Sequence, residues 1–182
     1  MSRNVQLVLL CEDRQHETFL RRFLEKAGWS TRRMRIEMAP PGQGSAEQFV
    51  RERFPIELSS YRAKRYQVGQ ALFVMFDGDD HGVAKRLAEL DEACRSRDVG
   101  PRRRDDRVAV FVPTWRIETW LAYLDGETVD EGRDNYQRLR RPRDCREHVN
   151  ILYQMCQEGN LRQPAPPSLE AGCEEYRNQI GG

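Results

Sequence analysis

Acidic residues directly follow the apolar runs of this chain, and this arrangement constrains its fold more than any other feature. The run Val5–Cys11 leads into Glu12 and Asp13, and the run Ala71–Phe76 leads into the segment Asp77–Asp80. Short runs that are apolar at nearly every position are typical of parallel strands buried on both faces. In an open α/β sheet, ligands bind beyond the carboxyl ends of such strands. The sequence therefore predicts a ligand-binding edge that is crowded with carboxylates.

The pattern around these runs predicts alternating strands and helices. Two more strands are predicted at Arg33–Met38, where apolar and charged residues alternate, and at the apolar run Val108–Val112. Helices are predicted over His16–Ala27, from Ser45 with an interruption or kink at Pro55, over Gly82–Cys94 and over Arg116–Leu124. Strands that alternate with helices favour a mainly parallel sheet with helices on both faces. The predicted fold class is α/β and Rossmann-like, with about four strands.

The C-terminal third carries a weaker pattern. Asp134–Gly159 is predicted to be helical in parts, with a break near Pro142. Gln163–Pro167 is predicted to be a linker, and Ser168–Ile180 a last short helix. The predicted organisation is a catalytic domain over residues 1–125 and a helical or irregular extension over residues 126–182 that packs on the same domain.

The charge and hydropathy of the chain exclude some classes without pointing to a partner. The 30 basic and 29 acidic residues leave a formal net charge of +1. No apolar stretch approaches the roughly 20 residues of a membrane-spanning helix, so no membrane association is predicted. The N-terminal apolar run is followed by acid and by no small-residue cleavage site, which favours a strand over a signal peptide.

Cysteine and histidine spacing argues against several kinds of site. The five cysteines are odd in number, widely spread and form no C-x-x-C pair. This predicts reduced thiols in a cytoplasmic protein rather than a zinc site or a disulfide framework. Because His16, His81 and His148 are scattered along the chain, no histidine-based metal cluster is predicted.

The acids at the predicted strand ends have the composition of a metal site. In an extended strand tip, Asp77 and Asp79 would project to the same side. Together with Glu12 from a neighbouring strand, they could hold one or two Mg²⁺ ions through oxygen ligands. Such ions activate water and stabilise charge on a phosphate oxygen. Helix capping is the competing explanation for acids at these turns, above all for Asp13 and Asp80.

Three segments together carry a family resemblance: VQLVLLCEDRQHETFL, ALFVMFDGDDHGVAKRL and VAVFVPTWRIETWLAYL. They resemble the Toprim domain, especially small stand-alone Toprim proteins and the nuclease half of OLD-family (overcoming lysogenisation defect) proteins. In that family a glutamate follows the first strand and an Asp-x-Asp follows the third, which matches Glu12, Asp77 and Asp79. OLD-like members also carry a Pro…Glu-x-Trp segment, matched here by Pro113, Glu118 and Trp120. The resemblance covers about residues 5–125.

The resemblance implies a Toprim-type nuclease that uses Mg²⁺ or Mn²⁺. It implies that Glu12 is a general acid/base or a metal ligand, that Asp77 and Asp79 bind metal, and that Glu118 completes a second metal position. An ordinary solvated glutamate is the competing explanation for Glu118. Many Toprim domains carry Glu-Gly after the first strand, whereas this chain has Glu12 followed by Asp13.

The resemblance also implies partners. Small proteins of this kind are similar to those that act beside ABC-type or SMC-like ATPases in bacterial antiviral defence. The chain has no Walker A pattern, so ATP hydrolysis by that route would come from such a partner. Nucleic acid is the expected substrate, with DNA favoured over RNA, and the oligomeric state is left open, a homo-oligomer included.

Basic residues near the acids are candidates for binding substrate phosphate. Lys85 and Arg86 follow the Asp-x-Asp on the next predicted helix, and Arg116 precedes Glu118. An ordinary polar helix face explains them equally well. The arginine-rich stretches Arg95–Arg107 and Arg133–Arg146 could bind a polyphosphate backbone without reading sequence, although interleaved acids also fit solvated loops.

Two further function classes compete with the nuclease. A phospho-receiver signalling module also has acids after the first strand and an acceptor aspartate after the third, but no lysine follows Lys85 to pair with a phosphoryl group. A degenerate Toprim-like structural subunit is the other alternative. Retention of several carboxylates at one edge argues against it, because buried like charges are costly without a ligand.

Overall fold

The computed structural model describes residues 5–180 and has an α/β architecture built on one parallel sheet. The strands are β1 (Gln6–Cys11), β2 (Met34–Met38), β3 (Gln70–Met75) and β4 (Val108–Phe111). Their order in the sheet is β2-β1-β3-β4, and every neighbouring pair is parallel. The predicted fold class is confirmed.

Helices connect and cover the strands. They are α1 (Arg14–Lys26), α2 (Ala46–Lys64), α3 (Gly82–Arg95), α4 (Ile117–Leu124), α5 (Arg146–Glu158) and α6 (Pro167–Gln179), with a 3₁₀ turn at Pro142–Cys145. From β1 the chain passes to one side of the sheet, and from β3 it passes to the other. The order therefore switches between β1 and β3, which places the ligand-binding crevice of an open α/β sheet at their carboxyl ends.

Alternate residues of β1 belong to two separate apolar cores, one on each face of the sheet. Leu7 and Leu9 pack in a core shared with α1, α4, α5 and α6. Val8 and Leu10 pack in a second core shared with α2 and α3. Helices thus cover both faces, which explains why the central strands are apolar at nearly every position. The C-terminal helices share the first core with the sheet itself.

Two helix predictions need correction. The helix that starts after Ser45 continues through Pro55 to Lys64 without interruption, and its N-cap is Ser45 as the capping pattern indicates. The segment 134–141 has no regular structure, so the helical part of Asp134–Gly159 begins only at the 3₁₀ turn. Gly159 ends α5 in the left-handed conformation, with φ of 62°, which glycine adopts without steric cost.

The prediction that all cysteines are reduced thiols is wrong for one pair. Cys156 of α5 and Cys173 of α6 form a disulfide, with a Cα–Cα distance of 5.4 Å. Sequence spacing does not indicate this pair, because it forms only through the packing of two helices. Cys11, Cys94 and Cys145 are free and buried.

No helix within residues 5–180 combines the length and the apolar character that a bilayer span requires.

Candidate metal centre

Glu12 and Asp77 meet at the carboxyl ends of the two central strands. In the parallel register Cys11 lies beside Met75, so the residues that follow each strand emerge together. The backbone N–H of Asp77 donates to Oε2 of Glu12 at 2.8 Å, and the N–H of Glu12 donates to the Met75 carbonyl at 3.2 Å. The predicted meeting of these two strand ends is confirmed.

Helix α1 brings a histidine to the same place. Asp13 caps this helix, and its side chain accepts from the His16 N–H at 3.0 Å. The His16 side chain is fully buried and has a carboxylate on each ring nitrogen. Nδ1 lies 2.8 Å from Oδ1 of Asp13, and Nε2 lies 2.8 Å from Oδ1 of Asp77. We call Glu12, Asp13, His16 and Asp77 the tip centre.

The spacing of the histidines did not predict that one of them lies among the acids, in a group that could hold a metal ion. Glu12, His16 and Asp77 each offer a ligand atom, and these atoms all lie within 4.8 Å of one another. Two carboxylates and one imidazole suit a divalent cation. A sequence signal was present, because Asp13 is three residues before His16 and an N-cap at that position sets His16 one turn into the helix beside the strand end.

The conformation of Asp13 also explains why this chain needs no glycine after Glu12. Asp13 has φ of −145° and ψ of −179°, which is extended backbone open to any residue. The side chain is then free to cap α1 and to contact His16. The turn from β1 into α1 is therefore made by a capping aspartate rather than by a flexible residue.

Burial and crowding raise the pKa of Glu12 to about 7, first because the carboxylate loses hydration and second because Asp77 is close. Burial opposes charge on His16, but the carboxylates of Asp77 and Asp13 outweigh it and hold the pKa of the imidazole well above its usual range. Burial would likewise raise the pKa of Asp13, yet its bonds with His16 lower it to about 2. The tip centre thus contains three carboxyl groups and one imidazole, whose single positive charge cannot neutralise all of them.

Asp79 lies outside the group formed by Glu12, His16 and Asp77. The chain is not extended beyond β3, because Asp79 has φ of 46° and forms an isolated antiparallel bridge with Trp115. The expectation that Asp77 and Asp79 project to the same side assumed an extended tip and is wrong for that reason. The Asp79 carboxylate instead pairs with Arg86 at 2.5 Å, and its side chain is 53% exposed.

The bridge at Asp79 positions helix α4. A Cβ on Gly78 would lie 2.9 Å from the Pro113 carbonyl oxygen, so only glycine allows this close approach of the two segments. The first N–H of α4, on Ile117, donates to Oδ1 of Asp77 at 2.9 Å. Asp77 is therefore held by the end of α4 as well as by His16.

Glu118 follows in the first turn of α4 and is buried, in contrast to an ordinary solvated glutamate. Burial raises its pKa, and the nearby charge of Asp77 adds to this effect. Its nearest cation is Arg138, with 3.7 Å between Nε and Oε1. Glu118 and Asp77 line the same open cleft, although Glu118 is not part of the group that could hold one metal ion.

That cleft has a volume of about 260 Å³ and an arginine rim. Its walls include Arg14, Arg116 and Arg138. Arg116 was predicted as a phosphate-binding residue and pairs here with Asp134 at 2.6 Å. Sequence reasoning missed Arg14, although it directly follows Asp13. It did not single out Arg138, which is distant along the chain from every predicted site acid.

The other predicted phosphate contacts lie elsewhere. Arg86 is 3% exposed and pairs with Glu47, Asp79 and Glu89. Lys85 is exposed on α3, and neither residue lines the cleft. The guanidinium of Arg86 thus links α2, the loop after β3 and α3 through ion pairs. Its predicted role in binding substrate phosphate does not fit this position.

Comparison with known proteins gives no family assignment. No family model, no curated protein and no solved structure matches the chain. The Toprim resemblance therefore stays a prediction, carried by the residues at the strand ends.

Proposed function

We propose that this protein is a divalent-metal-dependent phosphodiesterase that hydrolyses nucleic acid, with Glu12 and Asp77 as its central carboxylates. The observation that carries the proposal is the convergence of Glu12, His16 and Asp77 within 4.8 Å at the switch point of the sheet. Two partly buried carboxylates with one imidazole are a suitable cation site. Mg²⁺ or Mn²⁺ bound there would polarise a phosphoryl oxygen and activate water.

The residues around the tip centre fit a polyanionic substrate. Arg14, Arg116 and Arg138 present guanidinium groups along the cleft that Asp77 and Glu118 line. Guanidinium groups bind phosphate oxygens in a bidentate manner and do not read base sequence. These arginines would orient a phosphodiester backbone, with the scissile phosphate beside Asp77.

Glu118 is the proposed proton-transfer residue of the cleft. Burial raises its pKa, so this carboxyl carries a proton more readily than a solvated glutamate does. A carboxyl in that state can hold a proton at its side-chain oxygen for the leaving group and then release it. Glu12 accepts the backbone N–H of Asp77 and does not line the cleft. It would therefore act at the metal centre.

The proposed substrate is DNA in preference to RNA. The protein is proposed to act together with an ABC-type or SMC-like ATPase in antiviral defence or DNA processing. Both follow from the Toprim resemblance. A cytoplasmic location is proposed on the same ground.

Cleavage assays test the proposal directly. Purified protein is incubated with plasmid, linear and single-stranded DNA and with RNA, in Mg²⁺, Mn²⁺ or EDTA. We expect metal-dependent cleavage that Asp77→Ala lowers by at least about 10³-fold, because a Lewis acid is worth several kcal/mol and each 1.4 kcal/mol is tenfold in rate. Asp80→Ala is the matched control, since Asp80 is exposed in the same loop.

Metal binding measured by calorimetry keeps the test decisive where cleavage requires the ATPase. Wild-type protein should bind Mn²⁺ or Mg²⁺, and Asp77→Ala should not. Cleavage that survives both EDTA and Asp77→Ala contradicts the mechanism. The phospho-receiver alternative would be favoured if acetyl phosphate labelled Asp77, if the labelling did not require Glu118, and if no cleavage occurred.

A further inference from the structure

His16 is buried between two carboxylates, which is an unusual environment for a histidine that only packs in a core. Its side chain is fully buried, and it sits between two acids whose oxygens contact both ring nitrogens. A buried histidine needs one donor or acceptor partner to satisfy each nitrogen. Here the Nε2 partner, Asp77, is also the carboxylate that lines the open cleft. Nε2 therefore faces the carboxylate that borders the cleft.

Asp13 fixes which nitrogen faces that side. Oδ1 of Asp13 accepts the backbone N–H of His16 at 3.0 Å and lies 2.8 Å from Nδ1. The same carboxylate oxygen contacts the backbone and the ring of His16, so rotation of the ring would lose its Nδ1 contact. A carboxylate on Nδ1 favours a proton on that nitrogen, so Nε2 is the nitrogen that can exchange its proton for a metal ion.

The distance between Nε2 and Asp77 is compatible with a shared metal ion. Two ligands about 2.1 Å from an octahedral ion, at right angles, are about 3 Å apart. The observed separation of Nε2 and Oδ1 is 2.8 Å. Ile117 and His16 both contact Oδ1, and the second oxygen of Asp77 is available as a further ligand. A cation can enter beside Nε2 in exchange for the proton that now lies between these atoms.

We propose that His16 is a metal ligand through Nε2, that Asp13 is its positioning residue, and that the centre consequently selects a first-row transition-metal ion over Mg²⁺. The inference rests on the proposed metal-dependent function and names the metal class that it uses. Imidazole nitrogen suits transition metals, whereas Mg²⁺ prefers oxygen ligands and retains water. The carboxylate behind the imidazole raises its basicity, as outer partners of metal-bound histidines do.

The competing role for His16 is that of a permanent cation. An imidazolium between Asp13 and Asp77 would balance part of their charge and would leave Mg²⁺ to bind oxygen atoms alone. The two roles differ in one observable property, because only the ligand role creates a bond between the metal and nitrogen.

Pulsed electron paramagnetic resonance of bound Mn²⁺ reads that bond directly. We expect ¹⁴N coupling in the Mn²⁺ spectrum of the wild-type protein, and its replacement by ¹⁵N coupling when the protein is made with ¹⁵N-histidine. His16→Gln should remove the coupling, and His81→Gln, a histidine at the start of α3 outside the tip centre, should retain it. The wild-type measurement stands even where His16→Gln fails to fold.

Affinities for Mn²⁺ and Mg²⁺ test the role of Asp13. Asp13→Asn keeps a side chain that caps helices well but removes the charge behind Nδ1. We expect the ratio of Mn²⁺ to Mg²⁺ affinity to fall about tenfold in Asp13→Asn, as loss of an outer partner does. A purely structural role of Asp13 would weaken both metals equally and leave the ratio unchanged.

The outcomes separate this inference from the proposed function. Bound Mn²⁺ with no ¹⁴N coupling, or with coupling that survives His16→Gln, overturns the ligand role and leaves the metal-dependent function standing. Absence of any Mn²⁺ or Mg²⁺ binding overturns both.

Discussion

Two regions of this molecule bury carboxylates and treat their charge in opposite ways. The first is the tip centre at the carboxyl ends of β1 and β3. The second is a cluster at the other end of the sheet, formed by Arg62, Arg65 and Asp106, which we call the arginine clamp. In the clamp the buried Asp106 carboxylate accepts from Arg62 at 2.7 Å and from Arg65 at 3.1 Å.

The pKa shifts of Asp106 in the clamp and Glu12 in the tip centre differ in sign. Burial alone would raise the pKa of Asp106, but the bonds and charge of Arg62 outweigh it and hold the pKa below its ordinary value. In the tip centre burial and Asp77 raise the pKa of Glu12 to about 7. Within residues 5–180, Glu12 and Asp77 have no lysine or arginine in a salt bridge with them.

The difference shows what each region is built for. The chain is rich in arginine, and in the clamp two arginines pair with the Asp106 carboxylate. Arginines could in the same way have neutralised the carboxylates at the other edge of the sheet. The tip centre instead keeps excess negative charge beside an open cleft. Partly buried carboxylates that outnumber the cations beside them are costly unless a further cation binds among them.

The largest effect on stability is expected in the arginine clamp. Asp106→Asn should lower the free energy of unfolding by about 3 kcal/mol, because it leaves the mostly buried Arg62 without its counter-charge. Urea denaturation at pH 7 measures the change. The matched control is Asp105→Asn, whose carboxylate is 68% exposed and should change stability by no more than about 0.5 kcal/mol.

The ion pair of Asp106 with Arg62 also predicts how the stability of the protein depends on pH. Because the folded-state pKa of Asp106 is depressed, its contribution is complete above the unfolded pKa near about 3.9 and is lost as pH falls through the folded value. The stability gap between wild type and Asp106→Asn should therefore shrink in acid. A gap that stayed constant down to pH values near about 2 would contradict the electrostatic account of the clamp.

The sequence predicted the sheet and the meeting of Glu12 with Asp77 because both depend on the backbone pattern. Apolar runs identify buried parallel strands, and acids that follow adjacent parallel strands must emerge at one edge. Asp79 could not be placed in this way. Its left-handed backbone and its bridge to Trp115 arise from the approach of two loops, which no single-strand periodicity encodes.

The remaining errors share this origin in tertiary packing. Arg86 looked free to reach a phosphate, but α2 brings Glu47 against α3 and holds the guanidinium inside. The disulfide of Cys156 with Cys173 depends on how α5 and α6 pack. His16 was the exception, since the capping position of Asp13 could have indicated its place beside the strand end.

A metal ion should stabilise one region and not the other. At Mn²⁺ concentrations of about 100 times Kd, the free energy of unfolding of the wild-type protein should rise by about 2.7 kcal/mol. Asp106→Asn should start lower and gain the same increment, because the clamp is independent of the tip centre. Asp77→Asn should lose the increment. Denaturation curves in a Mn²⁺ series give all three values, and an unchanged increment in Asp77→Asn would place the metal elsewhere.

The smallest effect is the most diagnostic, because it reverses the sign seen in the clamp. Glu12→Gln removes a charge that is disfavoured in the folded protein, while the amide oxygen can still accept the Asp77 N–H that Oε2 accepts at 2.8 Å. At pH 8 without metal, the variant should therefore be more stable than wild type by about 1 kcal/mol, and its gain from Mn²⁺ should be smaller. Asp106→Asn makes the equivalent change and should lose stability. Were Glu12→Gln to lose stability as well, Glu12 would be a structural partner of Asp77, and excess charge at the strand ends would no longer argue for a metal.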